Sequence, residues 1–234
     1  MSRPTLSHII WDWNGTLLDD LALSHQLTLE QLRANGIAPI SIEEYRELFT
    51  HPVSLFYYRL GFHLSPLDFP RLSHEFHLEY ARRRHGVKLH KGATESLRLF
   101  RQYGLVQIIL SAHEQSLLDG SLELFGLRGL LDQAWGMRDT IGHSKFENGK
   151  ALLSTLGIPR NQVLLVGDTD HDAEVADKLG LHCALINQGY QDRSILTRTR
   201  KPILSSLFDL QDWIMEGFQL PALPLQAARG SPGC

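Results

Sequence analysis

Two carboxylates in this chain stand where short apolar runs stop. Ile9, Ile10 and Trp11 lead into Asp12, and Val163 to Val166 lead through Gly167 into Asp168, with Asp172 one helical turn further on. Runs of this kind suit strands buried on both faces of a parallel sheet. A carboxylate just past such a strand lies at its C-terminal end, where the loops of an open α/β sheet form the ligand crevice. Ser111 ends a third strand-like run, Val106 to Leu110, and Lys145 lies between that run and the one ending at Asp168. Singly, each residue has a plainer use. Asp12 and Asn14 tolerate turn geometry, Gly15 supplies a positive φ, and Thr16 or Ser111 can cap the next segment of chain. Together, two strand-end acids, a strand ending at Ser111 and a lysine at Lys145 make a set.

That arrangement needs strands ending level with one another and helices that carry the chain back. From Leu17 to about Gly86 the pattern is helical: Leu21, Leu23, Leu27, Leu29 and Leu32 recur near helical spacing up to Gly36. Ser41 with Glu44 is a capping-box pattern for a second helix. Pro52 opens a third through Phe56, Tyr57 and Tyr58, and a fourth runs through Leu72, Phe76, Leu78 and Tyr80. The aromatic trio reads as core, and Arg82, Arg83 and Arg84 as solvated cations at a helix C-terminus. Downstream, helical and apolar stretches alternate, including a helix from about Asn148 to Leu156. Such alternation predicts an α/β fold, a parallel sheet with helices on both faces joined by right-handed crossovers.

Asp12-x-Asn14-Gly15-Thr16, then Ser111 after a strand, Lys145, and Gly167-Asp168-x-x-x-Asp172 resemble, in order, the motifs of the haloacid dehalogenase superfamily of aspartate-nucleophile phosphohydrolases. The resemblance spans Asp12 to Asp172. It departs at Asn14, where phosphatases of that family usually have a second Asp. It implies a Rossmann-like catalytic core over 1–17 and 87–217 and an inserted small helical cap over 18–86. It also implies that Asp12 is the nucleophile, forming an aspartyl-phosphate. Mg²⁺ would be held by Asp12, the main-chain carbonyl of Asn14, Asp168 and Asp172. Thr16, Ser111 and Lys145 would hold the phosphoryl group, Lys145 also pairing with the nucleophile. Lys150 is the rival for that role, but it falls inside the predicted helix.

The activity implied is that of a Mg²⁺-dependent phosphatase of a small phosphorylated metabolite, resembling the phosphoglycolate phosphatase branch. With an amide at Asn14, general acid–base help typically worth about 10²–10⁴-fold is missing, so turnover would be slow or selective for good leaving groups. His113 and His171 lie on loops from which an imidazole could substitute. The alternative is a phosphate-binding or regulatory protein with little turnover. Asp168 and Asp172 argue against the dehalogenase branch, which lacks the metal acids. The predicted cap contains no lysine, which argues against the phosphonate branch.

At 234 residues and 43% apolar composition the chain can bury a full core. A net charge of −3 from 23 basic and 26 acidic residues gives no reason to expect nucleic acid or an anionic membrane as partner. No run approaches the roughly 20 apolar residues of a membrane span. The first strand begins within about ten residues of Met1, leaving no room for a signal segment, so a cytoplasmic location is expected. Cys183, in an apolar stretch, and Cys234, at the end, make no disulfide framework. The segment 218–234, rich in Pro and small residues, reads as a loosely held tail. Neither the substrate nor the oligomeric state is legible from these patterns.

Overall fold

The computed structural model describes residues 3–63, 65, 68–137 and 145–221. Strand β1 (His8–Trp11) is followed by the short β2 (Leu18–Asp19), helices α1 (Leu21–Ala34), α2 (Ile42–Leu48), α3 (Val53–Arg59) and α4 (Asp68–Arg83), and then β3 (Lys88–Leu89). From there strands and helices alternate: α5 (Ala93–Gln102), β4 (Val106–Glu114), α6 (Gln115–Leu124), β5 (Gln133–Met137), α7 (Lys145–Leu156), β6 (Val163–Gly167), α8 (Asp170–Leu179), β7 (His182–Ile186), α9 (Arg193–Thr197), β8 (Ile203–Leu204) and α10 (Leu207–Gly217). The main sheet has the order β5-β4-β1-β6-β7-β8 with every neighbouring pair parallel.

β1 occupies an inner position because its residues are apolar on both faces and its two edges are paired, Trp11 with Ile109 and with Val166. Alternate residues face opposite ways. Ile9 and Trp11 join Leu97, Phe100 and Ile214 in one core layer, and Ile10 joins Leu152, Leu165 and Ala176 in the other. Each such Ile, Leu or Phe side chain, fully buried, contributes roughly 1.5–3 kcal/mol. Gln107 interrupts the apolar run of β4, yet it is wholly buried. Its amide donates to Leu97 O at 2.7 Å and accepts from Trp11 Nε1 at 3.2 Å, so its polar atoms are satisfied.

The four helices α1–α4 lie between β2 and β3, which pair antiparallel and bring both ends of the insertion together. The Ser41–Glu44 capping box forms as expected. These helices share their own apolar cluster, built on Leu32, Tyr45, Phe49, Phe56, Tyr57 and Leu72, and Tyr190 from the loop after β7 inserts into it. That loop is also gripped by Arg46 of α2, which donates to Gly189 O and Gln191 O at 3.0 Å and to Asn187 Oδ1 at 3.2 Å.

The structure amends several expectations. Phe56 and Tyr57 are core, but Tyr58 is 68% exposed, because three consecutive helical residues cannot share one face. Arg82 is exposed, with an ion pair to Glu79 at 2.7 Å, whereas Arg83 pairs with both Glu30 and Glu79, and Arg84 donates to Leu117 O and Ser121 Oγ at 2.6 and 2.8 Å, tying the insertion to α6. Helix α7 begins at Lys145, a turn earlier than its apolar pattern suggested. The first residues of the segment expected to be loosely held are not: Phe218 is buried, and Gln219 N bonds to Pro4 O while Gln219 O receives Leu6 N, holding the chain against the core. Residues 222–234 of the expected tail lie outside the described residues. Cys183 is buried and free. Among the described residues no helix is long and apolar enough to cross a membrane.

Candidate active site

β1 and β6 run side by side in register, so the residues just past them emerge as neighbours: the Asp12 amide donates to Val166 O at 2.8 Å. The third acid is fixed by the start of α8. Thr169 is its N-cap, and Asp172, three residues on, closes a capping box. Asp172 Oδ2 accepts from Thr169 Oγ1 at 2.6 Å, Thr169 N at 3.0 Å and Asp168 N at 3.2 Å, which leaves Oδ1 to Lys145 Nζ at 2.5 Å. The same ammonium bonds Asp12 Oδ1. Lys145 is buried on the first turn of α7, while Lys150 is exposed.

Oxygens of Asp12, Asp168 and Asp172 all lie within 4.8 Å of one another, and all three residues are buried. Among the described residues this group of three acids is paired with one ammonium, which contacts Asp12 and Asp172. Burial pushes Asp12 up to about 6 against the pull of Lys145, and pushes Asp168 well above the usual carboxylate range, with the neighbouring acids adding to the effect. Burial works the same way on Asp172, but Lys145 and Thr169 outweigh it and hold that carboxyl down at about 2. A buried set of hard oxygen donors with too little positive charge fits a divalent cation such as Mg²⁺.

The glycines around these acids are there for room. Gly15 has φ +76°, and a Cβ on it would stand 2.3 Å from Asp168 Oδ2; one on Gly189 would stand 2.0 Å from the same oxygen. Either contact would displace the acid.

Thr16 differs from expectation. It is fully buried, and its hydroxyl lies 2.9 Å from Asp168 Oδ1 and 3.3 Å from Asp12 Oδ2, tying two acids rather than facing outward. Charged oxygens are the strongest acceptors within its reach. Ser111 does border the cavity above Asp12, and its Oγ accepts from His113 N at 3.0 Å. β4 does not end at Ser111 but runs on to Glu114, with a register break after Leu110.

This cavity, of about 790 Å³, lies between the sheet's C-terminal edge and the inserted helices. Asp12, Asn14, Lys145, Asp168 and Asp172 border its floor, and Phe49, Phe56, Phe76 and Tyr80 its walls. His113 and His171 also reach it. Burial, with His77 and Arg84 nearby, brings His113 down to about 4. His171 stacks on His51 at 4.6 Å. Burial and the neighbouring His171 bring His51 down to about 4, and its buried Nδ1 meets no hydrogen-bond partner among the described residues.

Several contributors escaped sequence reasoning. Asp20, Tyr80 and Tyr190 meet beside Asn14, and Tyr190 also donates its amide to Asp168 Oδ2 at 2.7 Å. A signal existed for Tyr190: it lies just past β7, whose C-terminal end is on the same sheet edge as Asp12 and Asp168. His51 and Tyr80 carry no comparable mark, since they reach the site only through the packing of the insertion.

A family model for haloacid dehalogenase-like hydrolases matches residues 9–186. The chain belongs to that family of enzymes. It is 26% identical over 208 residues to a phosphoglycolate phosphatase of Synechococcus elongatus, covering 89% of this chain and 92% of the relative. It is 29% identical over 196 residues to a phosphoglycolate phosphatase of Aquifex aeolicus, covering 78% and 85%. Its fold matches that of a haloacid dehalogenase-like family hydrolase from Streptococcus pneumoniae with TM-score 0.76, at 15% identity, over 89% of this chain and 98% of that one.

Proposed function

We propose that the protein is a Mg²⁺-dependent phosphatase acting on a small phosphorylated metabolite through an aspartyl-phosphate on Asp12. The observation that carries this reading is one buried lysine shared between Asp12 and Asp172, beside Asp168, on the floor of the cavity between the sheet edge and the inserted helices. Asp12, the Asn14 carbonyl, Asp168 and Asp172 would hold the metal, which when bound supplies positive charge to a phosphate that the acids would otherwise repel. Lys145 keeps Asp12 in its charged form and aims it, and Ser111 offers a hydroxyl to the phosphoryl oxygens. Thr16 keeps Asp12 and Asp168 together.

In the first step an Asp12 oxygen bonds to phosphorus as the ester P–O bond breaks, and the alcohol oxygen leaves with the bonding pair. In the second, water attacks the same phosphorus, releasing inorganic phosphate and restoring the Asp12 carboxylate. The Asn14 amide has no acidic proton to give the leaving oxygen, so esters with good leaving groups should react best. The aromatic walls and the free Nδ1 of His51 suit a small, uncharged organic group behind the phosphate. The free, buried Cys183 accords with work in the cytoplasm; neither a nucleic acid nor a membrane is needed as partner.

The test is phosphate release by the purified chain with Mg²⁺ from a panel of alkyl, aryl and acyl phosphates. Turnover is expected, fastest on the aryl and acyl esters, and Asp12→Asn should lower it by roughly 10⁴-fold or more while the protein still melts cooperatively. Turnover unaffected by Asp12→Asn would overturn the mechanism. Binding of phosphate with no turnover on any ester would favour a regulatory, non-hydrolytic role, the reading that Asn14 itself motivates.

A further inference from the structure

Asp20 is wholly buried a few residues after the nucleophile, and the catalytic reading gives it no part. Its Oδ2 accepts from Asn14 Nδ2 at 2.7 Å, Tyr80 Oη at 2.7 Å and Tyr190 Oη at 2.9 Å, and its Oδ1 accepts from Gly15 N at 3.0 Å. Asn14 Nδ2 also reaches Tyr80 Oη at 3.1 Å. The amide orientation is therefore not free: only the nitrogen can face a carboxylate. With both amide hydrogens engaged on one side, the acceptor Oδ1 is left for the cavity that Asn14 borders beside Asp12.

We infer that Asn14 and Asp20 are a matched pair, in which Asp20 is a positioning residue that turns the Asn14 amide so that a fixed acceptor faces the attacking water and the reacting phosphate. Its catalytic consequence rests on the phosphatase reading; its geometry does not. An acceptor of fixed direction can orient a water by taking one of its hydrogen bonds, even though it takes no proton. The pairing also explains why an amide stands at 14. An aspartate there would set carboxylate against carboxylate at hydrogen-bond distance inside a buried site, which is strongly unfavourable. The residue at 14 is thus constrained by the residue at 20, and neither is interchangeable alone.

The experiment is a double-mutant cycle: wild type, Asn14→Asp, Asp20→Asn, and the two together, which restores a donor opposite an acceptor with the direction reversed. Each protein is assayed on p-nitrophenyl phosphate with Mg²⁺ for kcat and KM, and its melting temperature is measured. Each single change is expected to lower kcat by about tenfold or more with KM little altered, and to lower the melting temperature. The double variant is expected to exceed the product of the two single effects by about tenfold or more in kcat, and to regain most of the lost melting temperature. If Asn14→Asp alone matches or exceeds wild type, or if the single effects simply multiply, the pair is not coupled and the inference falls. If the wild type hydrolyses no phosphate ester, the phosphatase reading falls instead, and the melting temperatures still decide the pairing: additive shifts overturn it.

Discussion

The molecule buries carboxylates in two adjoining places and satisfies them by different means. At Asp12 and Asp172 the ionic compensation comes from one ammonium, that of Lys145, while Asp168 has only the Thr16 hydroxyl and the Tyr190 amide, so among the described residues the charge of the three acids is incompletely balanced. At Asp20 it comes from neutral donors alone: an amide, two phenols and a backbone N–H. The first place has charge left over and can take a cation. The second is closed, with its oxygens already occupied, so it can only hold its neighbours still. Burial alone therefore does not mark a reactive acid; what matters is whether the protein itself completes the compensation.

The contrast is tested most severely by removing the ammonium. Lys145→Met should leave three buried acids without a protein cation, costing about 3–5 kcal/mol, and added Mg²⁺ should restore part of the lost melting temperature. A variant whose melting is indifferent to Mg²⁺ would mean that the first place is not a cation site after all. At the second place the loss should be smaller and blind to metal. Tyr190→Phe removes one phenol from Asp20, and with it the 2.6 Å contact to Ser24, so a cost of about 1–2 kcal/mol is expected, with Mg²⁺ affinity by calorimetry unchanged. A large drop in Mg²⁺ affinity would show the two places to be one.

The smallest effect concerns His113, on the cavity wall. Burial lowers it from 6.5 to about 4. Between those pH values the unfolded chain binds a proton that the folded one does not. Its contribution is therefore full above pH 6.5 and is lost as the pH falls toward 4. His113→Gln should flatten the decline of urea-unfolding stability across that window by roughly 1–3 kcal/mol. An unchanged slope would show that His113 is solvated in practice.

Much of the sheet is legible in the sequence because short apolar runs, punctuated by Asp, Ser and Gly, map directly onto parallel strands. The Ser41–Glu44 cap and the helices of the insertion come from local rules in the same way. Asp12, Asp168 and Asp172 are legible because each stands at or one turn past the end of an apolar run, and register brings those strand ends level; Lys145 enters the set only through the family resemblance. Thr16 is not, because sequence cannot tell which way a hydroxyl turns when two acids compete for it. Asp20 lies only eight residues beyond Asp12, yet its role is invisible in the sequence, because its partners Tyr80 and Tyr190 lie 60 and 170 residues away. Contacts across the insertion depend on how that unit docks, and no periodicity reports docking.

Arg46 carries a consequence for how the site opens. Its guanidinium holds three residues of the loop after β7, while Tyr190 on that loop is buried among the rings of α2 and α3 and also ties its own amide to Asp168. By chain position the loop belongs with the sheet, but by its contacts it belongs to the inserted helices. In native-state amide exchange the Tyr190 hydrogen should therefore exchange in step with the amides of α2 and not with those of β7. Its exchange rate then clocks how often the acids meet solvent.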